Sequence, residues 1–144
     1  MELLGVRVEL SNNTPIVLLR ELGGEHRMLP IYIGGPEATA IALAVEGVVT
    51  PRPMTHDLLK NMIDDLDARV ERIVVCELKD NTFYAAIHVS TAASARHVVD
   101  ARPSDAIARI MNTPLGKELG QQVLVENLGG VSGALAAQKV LAAP

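Results

Sequence analysis

The sequence predicts an α+β domain of antiparallel hairpins with helices packed against them. Three observations carry this expectation. Short apolar stretches are separated by two-residue turns, which makes hairpins. Helical stretches follow groups of strands rather than each strand in turn, which contradicts a doubly wound parallel sheet. A hairpin, an extended segment and a helix carrying Ala-Ile-Ala occur twice, at 16–42 and 70–108. That repetition is either a duplicated unit or a coincidence of two common motifs.

The elements follow in order. Leu4, Val6, Val8 and Leu10 alternate with Gly5, Arg7, Glu9 and Ser11, so 3–11 is a half-buried strand. Asn12-Asn13 turns the chain into a second strand, Pro15 to Arg20, and Gly23-Gly24 turns it into a third, Arg27 to Ile33. Gly35 and Pro36 open a helix that Gly47 ends. Ala38, Ile41, Ala42 and Val45 share its apolar face; Ala40 and Ala44 make a second, smooth one. Pro51 and Pro53 stiffen the loop that follows, and Thr55 is placed to cap a second helix with a stripe of Leu58, Leu59, Met62, Ile63 and Leu66. Strands at 69–79 and 82–90 meet at Asp80-Asn81. The apolar run Ile73 to Cys76 makes the first of them central, with Cys76 a small core residue. A strand at 96–100 leads through Arg102-Pro103 into a third helix that ends near Asn112. Gln122 to Glu126 reads as a short strand and 131–142 as an Ala-rich helix. The division is therefore a core at 1–112 and a strand and helix extension of the same domain at 113–144.

Composition narrows the function. A chain of 144 residues buries about two-thirds of its unfolded surface and needs no staple to fold. Tyr32, Phe83 and Tyr84 are its only aromatic residues, which argues against broad stacking platforms for single strands. The net charge is -4, with neither half basic. Bulk counterion release therefore cannot drive tight nucleic-acid binding, and any such contact is weak, local or metal-assisted. The lone Cys76 fits a reducing, cytoplasmic setting. No apolar run is long enough to span a membrane.

Beside Glu37 and Glu46 on the first helix, two further polar clusters stand out in this aliphatic chain. One is Arg52-Pro53-Met54-Thr55-His56-Asp57 and the other is Asp100-Ala101-Arg102-Pro103-Ser104-Asp105. Each sets carboxylates and a cation at the mouth of a helix, where free N–H groups favour anions. Arg52 and Arg102 can grip phosphate oxygens bidentately. Asp57, Asp100 and Asp105 can hold Mg²⁺ or Mn²⁺ through oxygen. His56 can move a proton near neutral pH. The competing reading is structural: Asp57 and Asp105 as partners of helix dipoles, Arg102 paired with Asp100 or Asp105, and Thr55 as a cap. Glu37 and Glu46 are nine residues apart on one helix, so they cannot both face one site. No role falls to His26, His88 or His97.

The stretch LPIYIGGPEATAIALAVEGVVTPRPMTHDLL at 29–59, the hairpin with Asp80, Thr82, Phe83 and Tyr84, and VDARPSDAIA at 99–108 resemble the bifunctional nuclease family of bacteria and plants. The three motifs occur in the family's order and cover roughly 1–112. The resemblance implies an α+β domain that forms homo-oligomers, and a hydrolase that cleaves RNA and DNA. Glu37 and Glu46 match the acidic positions of the family's first helix. Arg52, Thr55, His56 and Asp57 match its second motif, and Asp100, Arg102, Ser104 and Asp105 its third. After Asn112 the sequence departs from the family pattern.

These readings combine into one expectation and one alternative. The expectation is a divalent-metal-dependent nuclease that binds RNA or DNA weakly. A shared cleft holds His56, Asp57, Asp100 and Arg102 as catalytic groups, with Asp57, Asp100 and Asp105 on the metal and Arg52, Thr55 and Ser104 on the substrate. The alternative is a non-catalytic module that holds an anion or a partner at the same helix mouths. Smooth Ala-rich helix faces favour a homo-oligomer in either case, a two-fold dimer first.

Overall fold

The computed structural model describes residues 1–111 and 123–125. The strands are β1 (Glu2–Glu9), β2 (Thr14–Arg20), β3 (Met28–Tyr32), β4 (Ala68–Lys79), β5 (Thr82–Thr91), β6 (Arg96–Ala101) and β7 (Val123–Val125). The helices are α1 (Gly35–Glu46), α2 (Thr55–Asp65) and α3 (Pro103–Met111). Among these residues the fold is α+β, with one sheet ordered β1-β2-β3 and another ordered β6-β5-β4-β7. β4 is flanked on both sides, as its apolar run predicts. Every pairing is antiparallel except that of β7 with β4. Each sheet holds one three-strand meander followed by a helix, β1-β2-β3-α1 and β4-β5-β6-α3. That is the repeated unit visible in the sequence, with α2 set between the copies. The expected helix at 131–142 lies outside the described residues.

Turn chemistry explains the hairpins. Asp80 and Asn81 both have positive φ, 49° and 60°, the signature of the two-residue turn that matches strand twist. The β2–β3 connection is clipped by Arg27, which donates from Nη2 to Glu21 Oε1 at 2.8 Å and from Nε to Oε2 at 3.1 Å. These bonds pull the Glu21 carboxyl down to about 2. A carboxyl depressed by folding stabilises above its unfolded value, and that contribution is lost as pH falls from about 4.5 to about 2. A carboxyl-detected NMR titration should therefore place the Glu21 midpoint near 2, and Arg27→Ala should return it towards the ordinary carboxylate range. A wild-type midpoint above 4 would mean that the clip does not persist in solution.

The first strand departs from simple alternation. The β1–β2 register shifts between Leu3 and Gly5, so Leu4 is an extra residue and the phase of the strand changes there. Leu3 and Val6 pack on the core while Leu4 is 36% exposed, against the expected placement of Leu4 with Val6. Gly5, at φ 126°, supplies the conformation the bulge needs. A second bulge, between Val75 and Glu77, leaves Cys76 exposed instead of in the core.

Two buried clusters meet at α3. Val17, Leu19, Leu29, Ile31, Ile33, Ala40 and Ile41 pack with Ile107 and Ala108 of α3. Ile73 and Ala85 pack with Ala106, also of α3. The last helix of the second unit thus fills the core of the first while resting on its own sheet. The Ala-Ile-Ala motif serves this double contact, because two alanines beside one isoleucine let the helix lie close on both sides. Gly47 ends α1 in a left-handed conformation, and Gly47 and Val48 donate to the carbonyls of Ala44 and Leu43. The buried positions of α1 are Glu37, Ala40 and Ile41, while Val45 is half exposed. No residue of the α2 stripe is fully buried: Leu58, Leu59 and Met62 are each about half exposed, and Ile63 is half-buried.

Candidate functional site

The packing of α3 between α1 and α2 brings three helix starts together. Glu37 is the third residue of α1, His56 the second of α2 and Asp105 the third of α3. One ligand atom from each lies within 4.8 Å of the others. Each chain segment reaches its helix by a different route, and Pro36 and Pro103 fix the entry to α1 and α3.

Arg102 joins the group from the residue before α3. Its Nε donates to Asp105 Oδ2 at 2.6 Å and its Nη2 to Asp105 Oδ1 at 3.0 Å, a bidentate pair. Nη2 also donates to Glu37 Oε1 at 3.1 Å, across 65 residues of sequence. Hydrogen bonding to Asp105, then the charges of Asp105 and Glu37, raise the Arg102 guanidinium still further above its ordinary range. It is a permanent cation with 68% of its side chain exposed. His56 is the reverse case. Its side chain is only 13% exposed and its Nε2 stands 3.7 Å from Asp105 Oδ1, beyond hydrogen-bond length. Glu37 is 8% exposed. Its carboxylate folds back over Gly34, where a Cβ would strike it.

The structure separates the other sequence-predicted residues from this group. Asp57 Oδ2 accepts the backbone N–H of Met54 at 2.9 Å, so Asp57 closes the start of α2 from its third position. Met54, not Thr55, is the capping residue, and Thr55 is the first residue of the helix and exposed. Asp100 and Ala101 alternate on β6. Ala101 packs on the second cluster under α3, which sends the exposed Asp100 side chain to the other face of the sheet. The expected trio of Asp57, Asp100 and Asp105 therefore does not form a ligand group among the described residues; Glu37, His56 and Asp105 do. Arg52 is exposed in the loop before α2, and Ser104 is buried beside Asp105. Substituting Asp57 by Ala should cost about 1 kcal/mol through the lost helix-start contact, read by urea denaturation. A loss below about 0.3 kcal/mol would show the contact to be idle.

Glu37 is the residue that sequence reasoning left out of the site. Its signal was the string Gly34-Gly35-Pro36-Glu37, in which a small residue and a proline place a carboxylate at a helix start, as Arg102-Pro103-Ser104-Asp105 does.

A fold of two meander–helix units with acidic and basic side chains gathered where the helices begin has counterparts among known proteins. The bifunctional nuclease domain family matches residues 17–124. The chain belongs to that family. An uncharacterised protein of Mycobacterium tuberculosis is 43% identical over 109 residues, covering 75% of this chain and 63% of the relative. The Arabidopsis thaliana protein named Bifunctional nuclease 1 is 27% identical over 95 residues, covering 65% of this chain and 29% of the plant protein. A 38-residue match at 55% identity joins 26% of the chain to 11% of a UPF0065 protein of Agrobacterium vitis. The chain thus spans less than two-thirds of the length of the mycobacterial relative and under a third of the plant one. Among the described residues, no helix is long and apolar enough to cross a membrane.

Proposed function

We propose that this chain is a divalent-metal-dependent nuclease whose reaction takes place where α1, α2 and α3 begin. The observation that carries the reading is the placement of His56. A nearly buried imidazole offers Nε2 beside two carboxylates and makes no hydrogen bond among the described residues. Two carboxylates and an imidazole from three elements are a donor set that suits Mn²⁺, and Mg²⁺ less well. Glu37, His56 and Asp105 would hold the ion. Such an ion, when bound, activates water and polarises a phosphoryl oxygen. Arg102 would turn from its carboxylates to the phosphodiester, which its fork matches bidentately and its exposure allows. Membership in the family and likeness to a plant bifunctional nuclease support RNA and DNA as substrates. The exposed apolar side of α2 supports a homo-oligomer, a two-fold dimer first, and the single cysteine supports a cytoplasmic setting.

A second reading has an observation of its own. Arg102 already pairs with both carboxylates, so the group can act as a staple between α1 and α3 in a non-catalytic anion- or partner-binding module. Cleavage of labelled single-stranded RNA and DNA with Mn²⁺, with and without EDTA, separates the two. In the nuclease reading, Glu37→Gln and His56→Ala each lose about 10²-fold or more and bind Mn²⁺ more weakly. No cleavage by the wild type, together with no Mn²⁺ binding and a lower Tm in Glu37→Gln, would leave the staple.

A further inference from the structure

The net charge and the even spread of basic residues along the chain conceal a local concentration on the second sheet. Arg69 pairs with Ser90, and Ser90 with Arg96; Arg72 pairs with His88 in the next row. Val70, Ile73, Ala85, Ile87 and Ala101 face the cluster under α3, so these rows lie on the opposite face. Strict alternation would have set Arg69 and Arg72 on opposite faces, since they are three residues apart. The register shift between Val70 and Arg72 makes Glu71 the extra residue and turns Arg72 to the side of Arg69. All three arginines are exposed, and among the described residues none is in an ion pair. Strand spacing puts Arg69 and Arg96 roughly 10 Å apart, with the Arg72 row roughly 7 Å further along. The acidic residue on this face nearest along β6 is Asp100, in the row of Ala86 beyond Val98.

We propose that this face of β4, β5 and β6 binds single-stranded nucleic acid through its phosphates, by way of Arg69, Arg72 and Arg96. Three unpaired guanidiniums at fixed spacing fit a polymer with an anion at every repeat, each gripped bidentately. A patch three strands wide suits one flexible strand whose phosphates can settle on each cation. Phosphate contacts carry no sequence information directly, so the contact is independent of sequence. Arg96 begins β6 and Arg102 follows its end, so roughly 20 Å of β6 separates the patch from Arg102, with Asp100 on the patch face between them. The surface rests on the nucleic-acid part of the reading above but not on the metal group.

The test is fluorescence anisotropy of a labelled oligothymidylate in EDTA, across a salt series. Three phosphate contacts predict a log–log salt slope of about -2 for the wild type. The triple variant Arg69→Ala/Arg72→Ala/Arg96→Ala should bring the slope towards zero and weaken binding about tenfold or more at low salt. Absent wild-type binding, or an unchanged slope and affinity in the variant, overturns the surface. Tighter binding of a duplex through the same arginines overturns the single-strand assignment. Bis(p-nitrophenyl) phosphate, a diester too small to need the surface, separates binding from chemistry. The variant should hydrolyse it as the wild type does, and a loss there would move the arginines into the reaction and overturn the proposal. If the wild type does not hydrolyse it, yet the variant loses the oligonucleotide, the surface stands and the nuclease reading falls.

Discussion

Asp105→Asn should reduce Mn²⁺-dependent cleavage of single-stranded RNA by about 10²-fold or more while leaving the domain folded. Asp105 stands between Arg102 and His56 in the group. It accepts both donors of Arg102, approaches His56 at 3.7 Å, and shares Arg102 with Glu37. Asparagine keeps the size and one acceptor oxygen, so α3 should still begin at Pro103. What it removes is the negative charge, on which a cation and the bidentate fork of Arg102 both depend. The Asp105 side chain is 35% exposed, so the stability loss should be small, within about 1 kcal/mol. Full EDTA-sensitive cleavage by the folded variant would remove Asp105 from the site. The measurement is a paired one, initial rates and a urea curve on the same preparation.

Ile107→Ala should destabilise the domain by roughly 2–5 kcal/mol, a large share of the stability of a domain of this size. Ile107 is 1% exposed and sits in the cluster with Val17, Leu19 and Ile41. The cavity would open at the seam between the two units, where α1 and the first sheet meet α3, and rigid elements on each side cannot collapse into it. Val98→Ala, at a side chain 64% exposed on β6, is the control and should change stability by under about 0.5 kcal/mol. A loss below about 1 kcal/mol for Ile107→Ala would show that α3 is not the shared wedge.

Most of the elements were legible in the sequence because their signals are local. Asp80-Asn81 marks a hairpin turn by its own conformational preference, Gly47 ends a helix, and proline opens two. Bulges were not legible. The phase changes at Leu4 and Glu71 and the outward turn of Cys76 are set by pairing with another strand, and alternation within one strand carries no sign of them. The site was half legible. His56, Arg102 and Asp105 lie in polar clusters that any reading would notice, whereas Glu37 joins them only through a contact 65 residues long. Asp57 and Asp100 share the composition of the site and not its geometry. One is turned to its own helix start and the other to the far face of the sheet.

The wedge formed by α3 also orders the events of folding. The first sheet and α1 are complete as chain by Glu46, but their core lacks two members, Ile107 and Ala108, until some sixty residues later. On an emerging chain the first unit therefore holds Leu19 and Ile41 against an unfinished interior until the third helix arrives. Contacts of such long sequence separation lower the folding rate, because a large loop must close before any of them forms. The helix starts that make up the candidate site come together in that same late step, so the site forms only when both units have docked.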